Sequence, residues 1–368
     1  MRILITGGHL SPALSVIDKL RNEEILYVGR KNAMEGESAF SFEYQVITAL
    51  GIPFVSITTG RLQRKFTRYT LFSLFKLPFG FYQSVKVLKE FKPDVILGFG
   101  SYVSIPVIVA GFLFKIPVVI HEQTLEAGMA NKIAGFFATK ICLSWESSKK
   151  FFPVKKIIMT GNPLRKEIFE ETKMEKEESP LIFITGGSLG SHFINELVRR
   201  SIEKLTKDFE VIHQTGDARK YNDFEKLTKL KNELGESGKH YTVKKFLTPD
   251  QSAKYLKIAD IVIARAGINT VTELLFLGKP SLLIPLVISQ NNEQQKNAQM
   301  LKTEGIGEIL KQQETTPEGF IQKITDMFKN ISTYQENGKK TQRLINKNAA
   351  AKVAEVVKNV YEEKKNQK

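Results

Sequence analysis

The 368-residue sequence has a single cysteine, Cys142, so the chain can form neither an internal disulfide nor a thiolate metal site. That fits a reducing compartment. Acids are in short supply: 39 Asp and Glu against 54 Lys and Arg leave a net charge of +15. Such a balance predicts attraction to something anionic, whether nucleic acid, a phosphate-bearing ligand or acidic lipid. Long uncharged runs are scarce too. The opening Ile3-Leu4-Ile5 gives way to Thr6-Gly7-Gly8 too soon for a signal-peptide core, which predicts a cytoplasmic chain. Val95 to Phe114 is free of charge over about 20 residues, the length of a membrane span. Gly98-Phe99-Gly100-Ser101 and Ile105-Pro106 break it into strand, glycine turn and helix, and Pro117-Val118-Val119-Ile120 follows as another strand. That order is a βαβ unit with strands apolar on both faces.

What is present is ordinary globular material, 42% apolar and 25% charged, in a chain longer than one usual domain. One pattern occurs twice. Arg2-Ile3-Leu4-Ile5-Thr6-Gly7-Gly8 precedes a helix-like segment from Pro12 to Leu20. Half the chain later, Leu181-Ile182-Phe183-Ile184-Thr185-Gly186-Gly187 precedes another from Ser191 to about Leu205. Each reads as a buried strand, a glycine turn and a helix start, the opening of a doubly wound domain. The prediction is an α/β chain of two Rossmann-like domains, residues 1–161 and 162–338, with parallel sheets facing across a cleft. The Lys- and Glu-rich stretch Arg165–Pro180 reads as an exposed helix or linker. Residues 339–368 read as a solvated helical tail able to pack back on the first domain.

In such folds ligands bind beyond the carboxyl ends of the strands, so the loops there carry the chemistry. Gly186-Gly187-Ser188-Leu189-Gly190-Ser191 lets N–H groups and a helix start approach an anion. Its spacing is not Gly-x-Gly-x-x-Gly, and no acidic residue closes a second strand to match, which disfavours a nicotinamide cofactor. Ala264 to Leu274 offers a second anion turn at Gly267-Ile268-Asn269-Thr270, with Glu273 placed to accept from ribose hydroxyls or, as the plain alternative, to satisfy the helix start. The amide-rich run Gln290-Asn291-Asn292-Glu293-Gln294-Gln295 suits an uncharged polyhydroxylated ligand such as a sugar. In the first half, Gly7-Gly8-His9 puts an imidazole at a helix start, and His121-Glu122-Gln123 ends a strand with a second acid/base-capable cluster, followed by Asn131.

Taken together these residues resemble the MurG family of cell-wall N-acetylglucosaminyltransferases. The resemblance runs from Ile3 to about Leu301. It is carried by Thr6-Gly7-Gly8-His9, Gly98-Phe99-Gly100-Ser101-Tyr102-Val103-Ser104, His121-Glu122-Gln123 with Gly128 and Asn131, Gly161-Asn162-Pro163-Leu164-Arg165, Gly186 to Gly190, His213-Gln214-Thr215-Gly216, Arg265 to Glu273, and Gln294 with Asn297-Ala298. Departures lie mainly in the first half: the first glycine loop lacks leading glycines, Ser101 and Ile105 replace glycines, and Thr124 replaces an asparagine. Glu293 stands where glutamine or histidine is common.

The resemblance implies a GT-B fold and an inverting transfer of GlcNAc from UDP-GlcNAc to the C4 hydroxyl of undecaprenyl-pyrophosphoryl-MurNAc-pentapeptide (lipid I), giving lipid II for peptidoglycan. Arg165, Gly187 and Ser188 would meet the donor diphosphate and nucleotide, with Phe246 and Leu247 by the uracil. Gly267, Ile268, Asn269 and Thr270 would hold phosphate, Glu273 the ribose, and Glu293 and Gln294 the GlcNAc. Gly7, Gly8, His9, Ser101, Tyr102, Glu122, Thr124 and Asn131 would face the acceptor, with His9 or Glu122 as the base. No Asp-x-Asp pair stands in these loops, so no metal and no cofactor are expected. The stretch Arg61 to Tyr82, bases first and then aromatics and leucines at helical spacing, predicts a peripheral contact with anionic lipid at the cytoplasmic face of the membrane. Nucleic acid is not expected, because no basic patch alternates with aromatics. Wall-synthesis and division proteins are candidate partners. A UDP-GlcNAc 2-epimerase on the same architecture is the rival enzyme, and a non-catalytic binding protein the rival of another class.

Overall fold

The computed structural model describes residues 1–32, 40–58, 68–171, 179–187, 189–217, 221–289 and 292–366, and of 68–77 the backbone alone. The chain divides into two compact units, Met1–Arg165 with Asn346–Lys368, and Lys166–Ile345.

The first unit opens with β1 (Arg2–Gly7), α1 (Leu10–Lys19), β2 (Glu24–Gly29), α2 (Phe42–Ala49) and β3 (Phe54–Ser56). It continues with α3 (Arg68–Phe91), β4 (Val95–Phe99), α4 (Ser104–Leu113), β5 (Val118–Glu122), α5 (Met129–Phe137), β6 (Lys140–Leu143) and β7 (Ile157–Met159). All seven strands are parallel, in the order β3-β2-β1-β4-β5-β6-β7. Successive side chains of a strand point to opposite faces, so the run Ile3-Leu4-Ile5 serves two cores at once. Ile3 and Ile5 pack with Val95 and Leu97 beneath α1, whereas Leu4 and Ile96 join Val107, Ile108 and Ala134 from the other helical layer.

The second unit repeats this plan. It runs β8 (Leu181–Thr185), α6 (His192–Leu205), β9 (Glu210–Gln214), α7 (Asp223–Glu233), β10 (Tyr241–Lys244), α8 (Pro249–Ile258) and β11 (Ile261–Ala264). Then follow α9 (Ile268–Leu277), β12 (Ser281–Leu283), α10 (Glu293–Thr303), β13 (Gly307–Ile309), α11 (Pro317–Lys329) and α12 (Ile331–Thr341). Its six strands are also parallel, in the order β10-β9-β8-β11-β12-β13. In both sheets the order reverses beside the first strand, between β1 and β4 and between β8 and β11. Those switch points are where the glycine turns stand.

Two boundaries differ from the sequence expectation of 161/162 and 338/339. Leu164 is buried and stays with the first unit. Gly338 lies inside α12, where it meets Gly278 backbone to backbone: a Cβ on Gly278 would stand 2.5 Å from Gly338 O, and one on Gly338 would stand 2.2 Å from Gly278 O. The chain therefore remains in the second unit until Ile345. Nor is the tail solvated all round. The last helix, α13 (Ala349–Asn366), buries Val353, Val356, Val357 and Val360 in the core that holds Ile3 and Ile5. At roughly 1.5–3 kcal/mol per buried side chain, these four make α13 part of the first unit.

Candidate functional site

At the first switch point the β1–α1 loop is pinned from below. Tyr27, fully buried, donates its hydroxyl to Gly7 O at 2.8 Å. Gly7 has φ 138°, and a Cβ there would overlap the Phe99 backbone at 2.6 Å, so only glycine lets β1 and β4 close up here. His9 follows as the N-cap residue of α1, half-buried. Its Nδ1 lies 2.8 Å from Phe99 O. A carbonyl oxygen can only accept, so Nδ1 of the neutral ring carries the proton and Nε2 carries the lone pair. Gly100 makes room for the ring: a Cβ there would stand 2.9 Å from His9 Nδ1 and 3.4 Å from Asn131 Nδ2.

Glu122 is arranged differently. It is buried at the end of β5, and both its oxygens are engaged. Oε1 accepts from Thr124 N–H at 2.9 Å and Thr124 Oγ1 at 2.6 Å; Oε2 accepts from Gly128 N–H at 2.9 Å and Asn131 Nδ2 at 3.0 Å. Three N–H donors surround the carboxylate together with the Thr124 hydroxyl, whose single proton also faces Glu126 O at 2.5 Å, and this crowding disfavours Glu122 as the acceptor of a substrate proton. Asn131 Nδ2 also donates to His121 O at 3.0 Å, so the cluster ties β5 to α5. His121 itself is buried, and desolvation pulls its pKa down to about 4; its Nε2 faces Gly161 O at 3.3 Å and Ser144 Oγ at 3.2 Å. Tyr102 lies against the Arg30 guanidinium, 5.1 Å from its ring centre. Gly7, Gly8, His9, Ser101, Tyr102, Glu122, Thr124 and Asn131 thus stand at the carboxyl ends of β1, β4 and β5, in the loops that follow and, for Asn131, at the start of α5.

The second unit builds a receptive edge from the loops after β8, β10, β11 and β12. Gly187 has φ 82° with nothing within 4 Å of a would-be Cβ, so it faces open space, while Gly190 and Gly216 touch backbone to backbone. Ser188 lies outside the described residues, as do Gln290 and Asn291. Gly267 caps α9 with open space around a would-be Cβ and no side-chain cap of its own, so the turn Gly267-Ile268-Asn269-Thr270 stands at the positive end of the helix. Glu273 is buried in the second turn. Phe246 is 55% exposed just beyond β10, beside Leu247. Glu293 opens α10, and Gln294 accepts Leu286 N–H through Oε1 at 2.9 Å, fixing the loop after β12. Arg165 belongs to the first unit.

One structural residue escaped the sequence reading. Arg265 was legible only as part of a glycine-containing turn, yet its guanidinium joins three loops. Nε and Nη2 donate to Ser191 Oγ at 3.1 and 2.7 Å, and Nη1 donates to Ile284 O at 2.9 Å. Burial lowers its pKa to about 10, leaving it cationic at neutral pH beneath the start of α6. An arginine directly after a strand at the switch point was the available signal. A second network was equally hidden: Tyr241 hydroxyl with His213 Nδ1, His213 Nε2 with Asn195 Oδ1, Asn195 Nδ2 to Asp223, and His192 Nδ1 to Asp223, all within 3.1 Å. It locks α6, β9, β10 and α7 behind the glycine loop.

The chain is similar to known proteins in sequence and in fold. The N-terminal domain model of glycosyltransferase family 28 matches residues 6–143, and the C-terminal domain model matches 181–358. A Clostridium botulinum (strain Hall) protein named UDP-N-acetylglucosamine–N-acetylmuramyl-(pentapeptide) pyrophosphoryl-undecaprenol N-acetylglucosamine transferase is 33% identical over 371 residues, covering 97% of this chain and 98% of its own length. A protein of the same name from Clostridium perfringens (strain SM101) is 36% identical over 347 residues, covering 90% and 92%. Among solved structures, Acinetobacter baumannii MurG superposes with a TM-score of 0.72 at 24% identity, over 97% of this chain and 99% of that one, which establishes the same GT-B architecture. The chain belongs to the MurG family of N-acetylglucosaminyltransferases.

Proposed function

We propose that this chain transfers N-acetylglucosamine from UDP-N-acetylglucosamine to the C4 hydroxyl of the lipid-linked N-acetylmuramyl-pentapeptide acceptor, with His9 as the general base. The observation that carries the base assignment is the 2.8 Å contact of His9 Nδ1 with Phe99 O, which fixes the tautomer and aims the basic Nε2 outward. In one displacement, Nε2 takes the hydroxyl proton, the acceptor oxygen bonds to the anomeric carbon from the face opposite the diphosphate, and UDP departs with the bonding pair. Configuration inverts. Charge growing on UDP is met by the helix start at Gly267–Thr270 and by Gly187 and Ser188, with Arg165 as a further cation. Glu273 takes the ribose hydroxyls, Phe246 and Leu247 the uracil, and Glu293 and Gln294 the sugar. Gly7, Gly8, Ser101, Tyr102, Thr124 and Asn131 line the acceptor side. Glu122, ringed by donors on both oxygens, positions Asn131 and leaves proton removal to His9.

The lipid-linked acceptor requires access to a membrane surface. No helix among the described residues is long and apolar enough to cross one. The contact in this reading is peripheral, at the cytoplasmic face. Of the stretch 61–82, residues 61–67 and the side chains of 68–77 lie outside the described residues. Beyond them α3 exposes Phe79 and Tyr82, and the same helical layer exposes Phe112, Leu113 and Phe136, with Lys115 and Lys155 also exposed. Aromatics and leucine beside lysines favour an anionic bilayer surface.

UDP release from UDP-N-acetylglucosamine, with and without a lipid I analogue, tests the whole reading. Release that depends on the acceptor is expected, and His9→Gln lowers kcat about 10²–10⁴-fold with donor binding kept. Formation of UDP-ManNAc from the donor alone would instead identify an epimerase, and normal turnover by His9→Gln would remove His9 from the base role.

A further inference from the structure

Ser101 holds a backbone conformation that its side chain disfavours. Its φ is 69°, in the left-handed region where glycine alone is at ease. The following turn prevents relaxation, because Ser101 O accepts Ser104 N–H at 3.1 Å and the Ser104 hydroxyl at 2.8 Å. The hydroxymethyl group is thereby laid over the β1–α1 loop: a side chain on Gly8 would come within 2.9 Å of Ser101 Cβ and 3.1 Å of its Oγ. The next pair along the two loops is Gly100 against His9. Among the described residues, Ser101 Oγ has no hydrogen-bond partner, and the residue is only half-buried. A strained residue whose hydroxyl lies against Gly8, on the loop that carries His9, and is left without a partner among the described residues is the pattern of a group kept for a ligand.

We propose that the Ser101 hydroxyl is a specificity-determining contact for the acceptor, donating a hydrogen bond to an oxygen of the N-acetylmuramyl sugar beside the hydroxyl that His9 deprotonates. This rests on the acceptor reading of the first unit. A glycine at 101 would hold the same turn without strain. The serine gives up that ease and supplies a hydroxyl against the loop that carries the base.

Steady-state kinetics of wild type, Ser101→Ala and Ser101→Gly on a lipid I analogue, with melting curves, form the test. Alanine keeps the strain and loses the hydroxyl; glycine loses both. Both variants are expected to lower kcat/KM for the acceptor about 3–10-fold, the range of one neutral hydrogen bond, while KM for UDP-N-acetylglucosamine stays within twofold. Ser101→Gly is expected to melt about 2–4 °C higher than wild type, so its stability and activity move in opposite directions. A purely structural serine would not give that signature. Acceptor kcat/KM within twofold of wild type in both variants overturns the proposal, as does an equal loss toward donor and acceptor. Wild type that turns over no acceptor removes the parent reading, and this contact with it.

Discussion

Replacing Gly100 by alanine tests whether the position of the His9 ring matters to catalysis. Gly100 has φ 65°, so any Cβ there meets a left-handed penalty of about 1–2 kcal/mol. The same Cβ would stand 2.9 Å from His9 Nδ1 and 3.1 Å from Cε1, closer than real contacts allow. One side must yield. The β4 backbone is locked in the middle of the sheet beside β1 and β5, so the imidazole is the part that moves, and its 2.8 Å contact with Phe99 O is lost. Overlap of this kind adds about 1–3 kcal/mol. A total of roughly 2–5 kcal/mol corresponds to a melting temperature lowered by about 4–20 °C in a unit of this size. A base displaced by as little as 1 Å costs about 10²-fold in rate.

A control separates strain from displacement. Gly51 also has a left-handed φ, 73°, with nothing within 4 Å of a would-be Cβ. Gly51→Ala should lose about 1–2 kcal/mol and keep full activity. Gly100→Ala should lose more stability and about 100-fold in kcat at saturating donor and acceptor, with UDP affinity unchanged by calorimetry. If Gly100→Ala turns over within threefold of wild type, the link between ring position and proton removal is refuted.

Glu122→Gln turns an amide N–H₂ toward a donor and weakens charge-assisted hydrogen bonds; a loss of about 2–4 kcal/mol in urea unfolding is expected. A variant as stable as wild type but inactive would make Glu122 the base. Acid should weaken both units. Burial pulls His213 down to about 3 and His121 to about 4, against an ordinary value of 6.5 in the unfolded chain. Below pH 6.5 the unfolded chain binds protons that the folded one refuses, so stability falls as pH drops from 6.5 toward 4, by at most about 1.4 kcal/mol per pH unit for each histidine. Above 6.5 these two groups contribute no slope. Urea midpoints that stay flat from pH 6.5 to 4.5 would contradict their neutral burial. Finally, converting Phe79, Tyr82 and Phe136 together to serine should cut co-sedimentation with anionic vesicles at least tenfold, since each buried ring is worth about 1.5–3 kcal/mol. Turnover of a detergent-soluble acceptor should hold within twofold. Unchanged sedimentation would refute the interfacial reading.

The two strand–glycine–helix openings were legible because parallel strands are apolar on both faces and glycine marks the turn. That the tail could pack back on the first domain was legible as well; which residues it buries there was not. Lys, Ala and Glu in residues 339–368 read as solvated, while the valines that bury α13 stand at 353, 356, 357 and 360, a stripe whose partner, Ile3, lies at the other end of the chain. Periodicity announces that a face is apolar without naming what covers it. The Gly278 and Gly338 contact was hidden for the same reason, and it moved the boundary past a glycine that resembles a linker.

The choice between His9 and Glu122 shows where sequence reasoning stops and geometry takes over. Both residues end a strand at the same sheet edge, and both are chemically able to take a proton. What separates them is the set of hydrogen bonds each already makes. Glu122 draws its donors from within nine residues, at Thr124, Gly128 and Asn131, a local motif that engages both oxygens. His9 draws its one fixed partner from Phe99, ninety residues away, and that partner occupies Nδ1 alone. A group held at one atom and open at another can move a proton; a group ringed by donors on both oxygens holds its neighbours in place. Gly100 is the residue on which the difference turns, because it admits the ring between two strands without a side chain of its own.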